Sequence, residues 1–348
     1  MFKKSKLFFI IAETPLHPGS GGDSSGLVDL PIQRERHTNY PKIEASGLKG
    51  CIREAFKDSN CEIKIGNQKI KPQTKIEYKE DNKDKETYYI SLVFGPEDSD
   101  ESHAGALSFT DARILLFPVK SLKGVFTWIT CPMVLERFKE DLSLAQEKLN
   151  FSIPQEIEEG VCWTSPEAQI CIKDESDNIE KIVLEEYTFK CERKNEIKNF
   201  SEFLAQKIFH NNIYQFWREK LKKDLVILSN DDFEQFVSTS TEIITRTRID
   251  DTTGTVKSGA LWTEEYLPQD TILYSIAMAS SIRVKNEEAK GVFKANTPDE
   301  EAEKVLKFFE LGIPEIIQIG GNQTIGKGLA RIQIFNSGGR ENEQRNIN

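Results

Sequence analysis

The 348-residue chain is poor in the residues that build small metal folds. It has six cysteines and four histidines, and no two cysteines form a CxxC pair. A zinc finger or a redox dithiol needs such clustering. The cysteines at 51, 61, 131, 162, 171 and 191 therefore read as scattered, reduced thiols. Long apolar runs are missing too. Leu7–Ala12, the longest near the start, stops at Glu13. That is far below the ~20 residues of a spanning helix, so a cytoplasmic chain with no membrane partner is expected. Nor is there an excess of positive charge. Lys plus Arg is 46 and Asp plus Glu is 56, a formal net charge of -10. Indiscriminate nucleic-acid binding runs on phosphate neutralisation, and this balance argues against it. A local basic track remains compatible with it.

What is present is an α+β pattern. Lys6–Ala12 reads as a buried strand. A long Gly/Pro-rich loop follows to about Ala45, and loops of that length in compact domains are usually functional. Ser46 reads as the N-cap of a helix reaching about Lys57, with Leu48, Ile52 and Phe56 inward. Residues 58–104 read as a variable insertion, charge-mixed to about residue 90. Strands are expected in 105–119 and helices over 130–150 and 200–223. Between Lys207 and Lys223 of the second helix five basic residues (Lys207, Arg218, Lys220, Lys222, Lys223) face only Glu219. Glu242–Tyr266 reads as strand, turn and strand, turning at Asp251–Gly254. Thr271–Ile282 is another strand. Asn296–Gly312 is a helix with Thr297 as cap, Pro298 at N1, Glu300 completing a capping box and Gly312 ending it. Strands near 315–319 and 329–335 flank a Gly-rich loop. The order predicts one domain over 1–336 built on ferredoxin-like units, with a frayed tail at 337–348.

Four places could carry chemistry. The loop Thr14–Tyr40 holds His17, His37, Asp23, Asp29, Arg34 and Arg36 among glycines and serines. Asp29 sits in Leu27-Val-Asp-Leu-Pro31, where apolar neighbours would pin its carboxylate. A pinned carboxylate can hold a divalent metal or take a proton from a sugar hydroxyl. It could equally cap a turn before Pro31. Next, Lys49, Arg53 and Lys57 recur at four-residue spacing on one helix face, and the helix start at Ser46 offers N–H donors to phosphate. Third, Gly321–Lys327 fits GxxxxGK, but Gly328 stands where a nucleotide-binding loop needs Ser or Thr, which argues against an NTPase. Gly326, Lys327 and Gly328 still suit a nucleic-acid backbone. Last, the 246–268 hairpin carries Arg246 and Arg248 with Leu261, Trp262 and Tyr266, and such a hairpin can wedge between bases. Glu264, Glu265 and Tyr266 could assist catalysis, or simply anchor the base of the hairpin.

Together these pieces resemble a known family. The stretch HPGSG…GLVDLPIQRERHTNYPKIEASGLKGCIREAF (17–56) is similar to the backbone subunits of the type III-B (Cmr) CRISPR RNA-guided effector, in the RAMP superfamily. So are GALSFTDARILL (105–116), PVKSLKGVFTWITCP (118–132), GTVKSGALWTEEYLP (254–268) and the loop 320–328. The resemblance implies a modified RRM/ferredoxin-like palm with an inserted helical region and a protruding β-hairpin thumb at 246–268. It implies copies stacked head to tail along a guide RNA, beside other effector subunits, with the thumb interrupting the guide–target duplex every six nucleotides. It places the catalytic aspartate at Asp29, in VD-x-P-x-QRERH, and assisting residues at His17, Glu264 and Tyr266. RNA contacts are expected from Arg34, Arg36, Ser46, Lys49, Arg53, Arg246, Arg248, Gly326, Lys327 and Gly328. Gly47 departs from the usual Ser-Ser of the superfamily and lacks a hydroxyl for phosphate.

The expected reaction is cleavage of target RNA with a divalent metal, Mg or Mn, held at Asp29. A splayed nucleotide would attack its own 3′-phosphate through its 2′-hydroxyl, leaving a 2′,3′-cyclic phosphate. The competing readings are a non-catalytic guide-RNA scaffold and a standalone RAMP ribonuclease that processes guide precursors.

Overall fold

The computed structural model describes residues 2–21, 28–97, 103–147, 153–154, 156–173 and 178–335. The chain forms two compact units, Met1–Pro118 with Asp231–Ile332 and Val119–Asn230 with Gln333–Asn348. Asp23 and the expected tail at 337–348 lie outside the described residues.

The first unit is organised by the apolar run at the start. Lys4–Ala12 is a strand, and Leu7 to Ile10 have no exposed surface. Burial on both faces is what a continuous apolar run requires. It lies at the sheet centre, antiparallel to Ile272–Ala279 from Lys4↔Ala279 to Ile11↔Ile272. The neighbours run Ala112–Ser121, Ile272–Ala279, Lys4–Ala12, Leu329–Ile334, Ile316–Gln318. Two helices, Ala45–Asp58 and Pro298–Gly312, supply the other layer. Phe8 meets Phe309 edge-on at 5.4 Å, and Phe56 stacks on Phe308 at 5.4 Å.

The helix ends show which local signals acted. Thr297 Oγ1 accepts from the Glu300 N–H at 3.2 Å, as expected. The Glu300 carboxylate reaches back to the Asn296 N–H at 3.1 Å, one residue outside the cap. Gly312 ends the helix without a left-handed turn. A Cβ there would come within 2.5 Å of Phe56 and Ile63, so glycine permits close packing. The expected Ser46 cap is not formed. Glu44 precedes the helix, Ser46 is its exposed second residue, and the first free N–H, of Ala45, is taken by the Asp111 carboxylate at 2.9 Å.

Residues 58–104 were expected as an insertion, and much of the segment joins the core. Two small hairpins, Ile63–Ile65 with Gln68–Ile70 and Lys75–Glu80 with Lys83–Tyr88, lead into a wholly buried helix, Tyr89–Phe94. Charge on the outer strand faces hides an apolar inner face (Ile63, Ile65, Ile70, Ile76).

The second unit carries the strands Ile172–Lys173, Glu180–Leu184, Tyr187–Arg193, Val161–Thr164, Leu225–Ile227 and Val125–Thr130, in that order. Its expected helix at 200–223 is two, Asn195–Ile208 and Gln215–Asp224. Arg218 bridges the break. Its guanidinium donates to the carbonyls of Phe209, His210 and Asn211 at 2.6, 2.9 and 2.9 Å, satisfying groups that a helix end leaves open. Lys220 pairs with Asp224 at 3.0 Å and Lys222 with Glu219 at 2.7 Å. The basic run is thus largely committed inside the fold.

Candidate active site

The hairpin Glu242–Ile249/Val256–Tyr266 is the frame of the site. Its tip is tied by Asp250, whose carboxylate accepts from the N–H groups of Thr252 and Thr253 at 2.9 and 3.1 Å. Above the root it is poorly covered, with Ile243, Ile249, Val256 and Leu261 all more than half exposed. The functional loop clips onto its returning strand. Leu30 N–H donates to Thr263 O, and Glu265 N–H donates to Leu30 O, both at 3.0 Å. Leu16 and Leu267 exchange two further backbone bonds.

Asp29 is exposed and held in place. Its Oδ2 accepts from Thr263 N–H at 2.7 Å and from Thr263 Oγ1 at 2.9 Å. The backbone bond from Thr263, then its hydroxyl, hold the Asp29 carboxyl below the usual carboxylate range. The pinning comes from the hairpin and not from apolar neighbours, since Leu30 is itself exposed. No turn-capping bond from Asp29 occurs among the described residues. Oδ1 has no hydrogen-bond partner among them either.

His17 approaches the same strand two residues further on, ~7 Å along an extended backbone. Its Nδ1 lies 2.6 Å from the Glu265 carbonyl. A carbonyl only accepts, so Nδ1 carries a proton and Nε2 is the ring nitrogen left for another partner. Two glycines make room. A Cβ on Gly19 would stand 3.0 Å from Nε2, and one on Gly320 would stand 2.2 Å from the His17 carbonyl oxygen.

Beneath lies a buried polar cluster. Glu264 accepts from Trp262 Nε1 at 2.8 Å, Asn322 Nδ2 at 3.0 Å, Arg246 Nε at 3.2 Å and the Tyr266 hydroxyl. The Tyr266 hydroxyl also accepts from Asn322 at 2.7 Å and Arg246 at 3.1 Å. Burial pulls the Glu264 carboxyl up, and the bonds from Tyr266, Trp262 and Arg246 together overcome it and hold it low. Burial, then the bond to Glu264, push the Tyr266 hydroxyl up. Both groups are saturated by protein partners. Both were expected to assist the reaction; here they are tied to each other and to Arg246 and Asn322 under the hairpin root.

Glu265 faces the other way. It accepts from Arg34 at 2.5 Å, Thr241 at 2.8 Å and the Ile32 N–H at 3.0 Å. Arg34 also donates to the carbonyls of Asn39 and Val237 at 2.9 and 3.0 Å. Arg34 therefore staples the loop, and Arg246 braces the cluster; neither guanidinium is presented freely to phosphate. Arg36 and Arg248 are exposed. Arg53 lies 3.5 Å from Glu97, which Lys57 also contacts. Lys49 is the more available cation. Burial, then the neighbouring Arg53 and Arg283 charges, lower its pKa, so an anion there would relieve repulsion. Gly326 and Gly328 are left-handed, and Lys327 Nζ lies 5.2 Å from the Tyr266 ring centroid. Thr263 and Asn322 escaped the sequence reading. Asn322, left-handed at φ 69°, had a signal in its place behind two glycines; Thr263 had none.

These residues come from one edge of an α+β fold and join a hairpin, a glycine loop and a long clipped loop. The chain belongs to the RAMP superfamily, whose signature matches residues 9–331. It is 36% identical over 344 residues to the CRISPR system Cmr endoribonuclease Cmr4 of Pyrococcus furiosus, covering 97% of this chain and 98% of that one. It is 26% identical to the CRISPR system CMR subunit Cmr4 of Saccharolobus solfataricus, covering 95% and 96%. The crystal structure of oligomeric Cmr4 from Pyrococcus furiosus superposes with a TM-score of 0.64 at 30% identity, over 95% of this chain and 98% of that one.

Proposed function

We propose that this chain is the endoribonuclease backbone subunit of a type III-B CRISPR effector. Copies of it line a guide RNA beside other subunits, and each cleaves the paired target RNA, at six-nucleotide steps. Identity over nearly the whole length to a Cmr endoribonuclease supports the activity. In the first unit Lys4–Ala12, Ala45–Asp58, Ala112–Ser121, Ile272–Ala279, Pro298–Gly312 and Leu329–Ile334 follow one another as strand, helix, strand, strand, helix and strand with other elements between them, which supports an RRM/ferredoxin-like palm with the 242–266 hairpin as thumb. The observation that carries the catalytic reading is the exposed Asp29 carboxylate, fixed by Thr263 at the hairpin root.

The hairpin splays one target nucleotide and exposes its 2′-hydroxyl to the adjoining phosphate. Fixing that in-line geometry can be worth ~7–11 kcal/mol. Asp29 Oδ1, ionised and without a partner among the described residues, receives the 2′-hydroxyl proton or a metal. No three protein ligands converge on Asp29 among the described residues. One carboxylate oxygen would suit a hard cation such as Mg²⁺ or Mn²⁺. Such an ion, when bound at Asp29, stabilises charge on the phosphate oxygens. His17, its ring fixed through Nδ1–H to the Glu265 carbonyl, can protonate the leaving oxygen from Nε2 only when the ring carries a second proton there. Specificity comes from base pairing with the guide.

The test is a target RNA with single 2′-deoxy substitutions, given to the assembled complex. Each substitution should abolish one cut and leave the cuts six nucleotides away intact. Products should end in 2′,3′-cyclic phosphate. Cleavage at a deoxy position would overturn the 2′-hydroxyl route.

A further inference from the structure

The cysteines that look scattered in sequence converge in the second unit. Cys162 lies on strand Val161–Thr164 and Cys191 on Tyr187–Arg193, and the two are direct partners in a parallel register. Cys171 immediately precedes strand Ile172–Lys173, whose Lys173 pairs with Glu180. Its sulfur stands 3.2 Å from that of Cys191. Cys171 Sγ, Cys191 Sγ and a Glu180 carboxylate oxygen all lie within 4.8 Å of one another, the one such group among the described residues. Cys162, fully buried, is the cross-strand partner of Cys191 and lies outside that group of three, so its sulfur must shift to reach a shared ion.

We propose that Cys171, Cys191 and Glu180, with Cys162 as the fourth ligand, form a structural zinc site.

Distances favour a metal over a disulfide. Sulfurs ~2.3 Å from a tetrahedral zinc stand ~3.8 Å apart, so the observed pair must open by ~0.6 Å. A disulfide at ~2.05 Å requires closing by more than ~1 Å. A disulfide also leaves the third thiol without a role. Thiolate ligands select zinc over magnesium or calcium, so this site is chemically distinct from one at Asp29. The outer shell is in place. Arg193 grips Glu180 through Nε and Nη2 at 2.6 and 3.0 Å, while its Nη1 donates to Pro166 O at 2.7 Å. Lys123 donates to the Cys171 carbonyl at 3.0 Å. Such partners orient ligands and offset their charge. Without a cation, contact with Cys191, then burial, push the Cys171 thiol far up. Contact with Cys162, then burial, push the Cys191 thiol up to about 12 against an opposing contact from Cys171. A bound metal reverses that by holding thiolates, releasing their protons. Three cysteines spaced 9 and 20 apart evade every short metal motif because the sheet, and not a knuckle, brings them together.

The full-length chain, reduced and stripped with chelator, is titrated with cobalt(II). A thiolate-to-cobalt charge-transfer band should grow, saturate at one cobalt per chain and bleach when zinc is added. Zinc should also raise the melting temperature. Cys51→Ser with Cys61→Ser should keep the band; Cys171→Ser with Cys191→Ser should lose it while circular dichroism reports the same fold. Three results overturn the site. One is no band in the unmodified chain. The second is a band that survives in the 171/191 variant. The third is a Cys171–Cys191 disulfide, seen as a loss of two hydrogens by mass, that persists under reduction in place of metal binding. The readings on the unmodified chain hold even if a variant misfolds.

Discussion

Asp29 and Glu264 are carboxylates tied to the same stretch of strand, in opposite surroundings. Asp29 is exposed and, among the described residues, its side chain bonds only to Thr263, through Oδ2. Glu264 is 6% exposed and spends both oxygens on four partners. Both titrate low, for different reasons. Two bonds from Thr263 suffice for Asp29 in water, whereas Glu264 needs three donors to outweigh its burial. A carboxylate can work on a substrate only if it keeps coordination capacity. A saturated one can only hold other groups in place. The contrast separates a carboxylate with room for a further partner from one engaged by its neighbours, although the two, far apart in sequence, meet at the same strand.

The comparison breaks most directly at Asp29. Asp29→Asn should lower cleavage by about 10²–10⁴-fold, the range for a positioned acid–base group, while guide and target binding persist. Residual cutting near the unmodified rate would make the chain a scaffold. Glu264→Ala should act on the fold first. It leaves the Arg246 guanidinium and Tyr266 hydroxyl without their acceptor, and calorimetry should show a loss of about 2–4 kcal/mol. Cleavage by correctly assembled complex should fall less than for Asp29→Asn; an equal fall with no loss of stability would return Glu264 to direct chemistry.

Thr263→Val keeps the backbone donor and removes the hydroxyl. Cleavage should drop by a factor of about 2–10, the equivalent of one ordinary hydrogen bond. The sign in pH follows. Asp29 sits below the usual range because Thr263 bonds its charged form, so removing a bond returns it upward. The acid limb of the pH–rate profile should move to higher pH, and an unmoved limb would mean that Asp29 does not titrate in the reaction. The smallest expected effect is at the cations. Lys49→Ala should reduce the salt slope of RNA binding by about 1, whereas Arg34→Ala, already paired with Glu265, should leave the slope unchanged and destabilise the loop.

Wherever one residue's own chemistry dictates its neighbours, the sequence reading succeeded. The apolar run at Leu7–Ala12, the Thr297 cap and the 242–266 hairpin are local and periodic, and all formed. It failed where a distant partner decides. Asp111, 66 residues from Ala45 in sequence, takes the first N–H of the helix that Ser46 was expected to cap. Arg218 bridges a helix break by gathering three carbonyls. Arg34 and Arg246 look like free cations in a string of letters and are consumed by Glu265 and Glu264.

By itself the sequence determined the family, the α+β order and the candidacy of Asp29, since these rest on local pattern and residue type. Only the tertiary structure decided which groups remain open. It joined Glu264 and Tyr266 in one buried cluster, supplied Thr263 and Asn322, and gathered three cysteines that span 30 positions. Hydrogen-bond capacity and burial are properties of surroundings, and surroundings come into being only when distant strands meet.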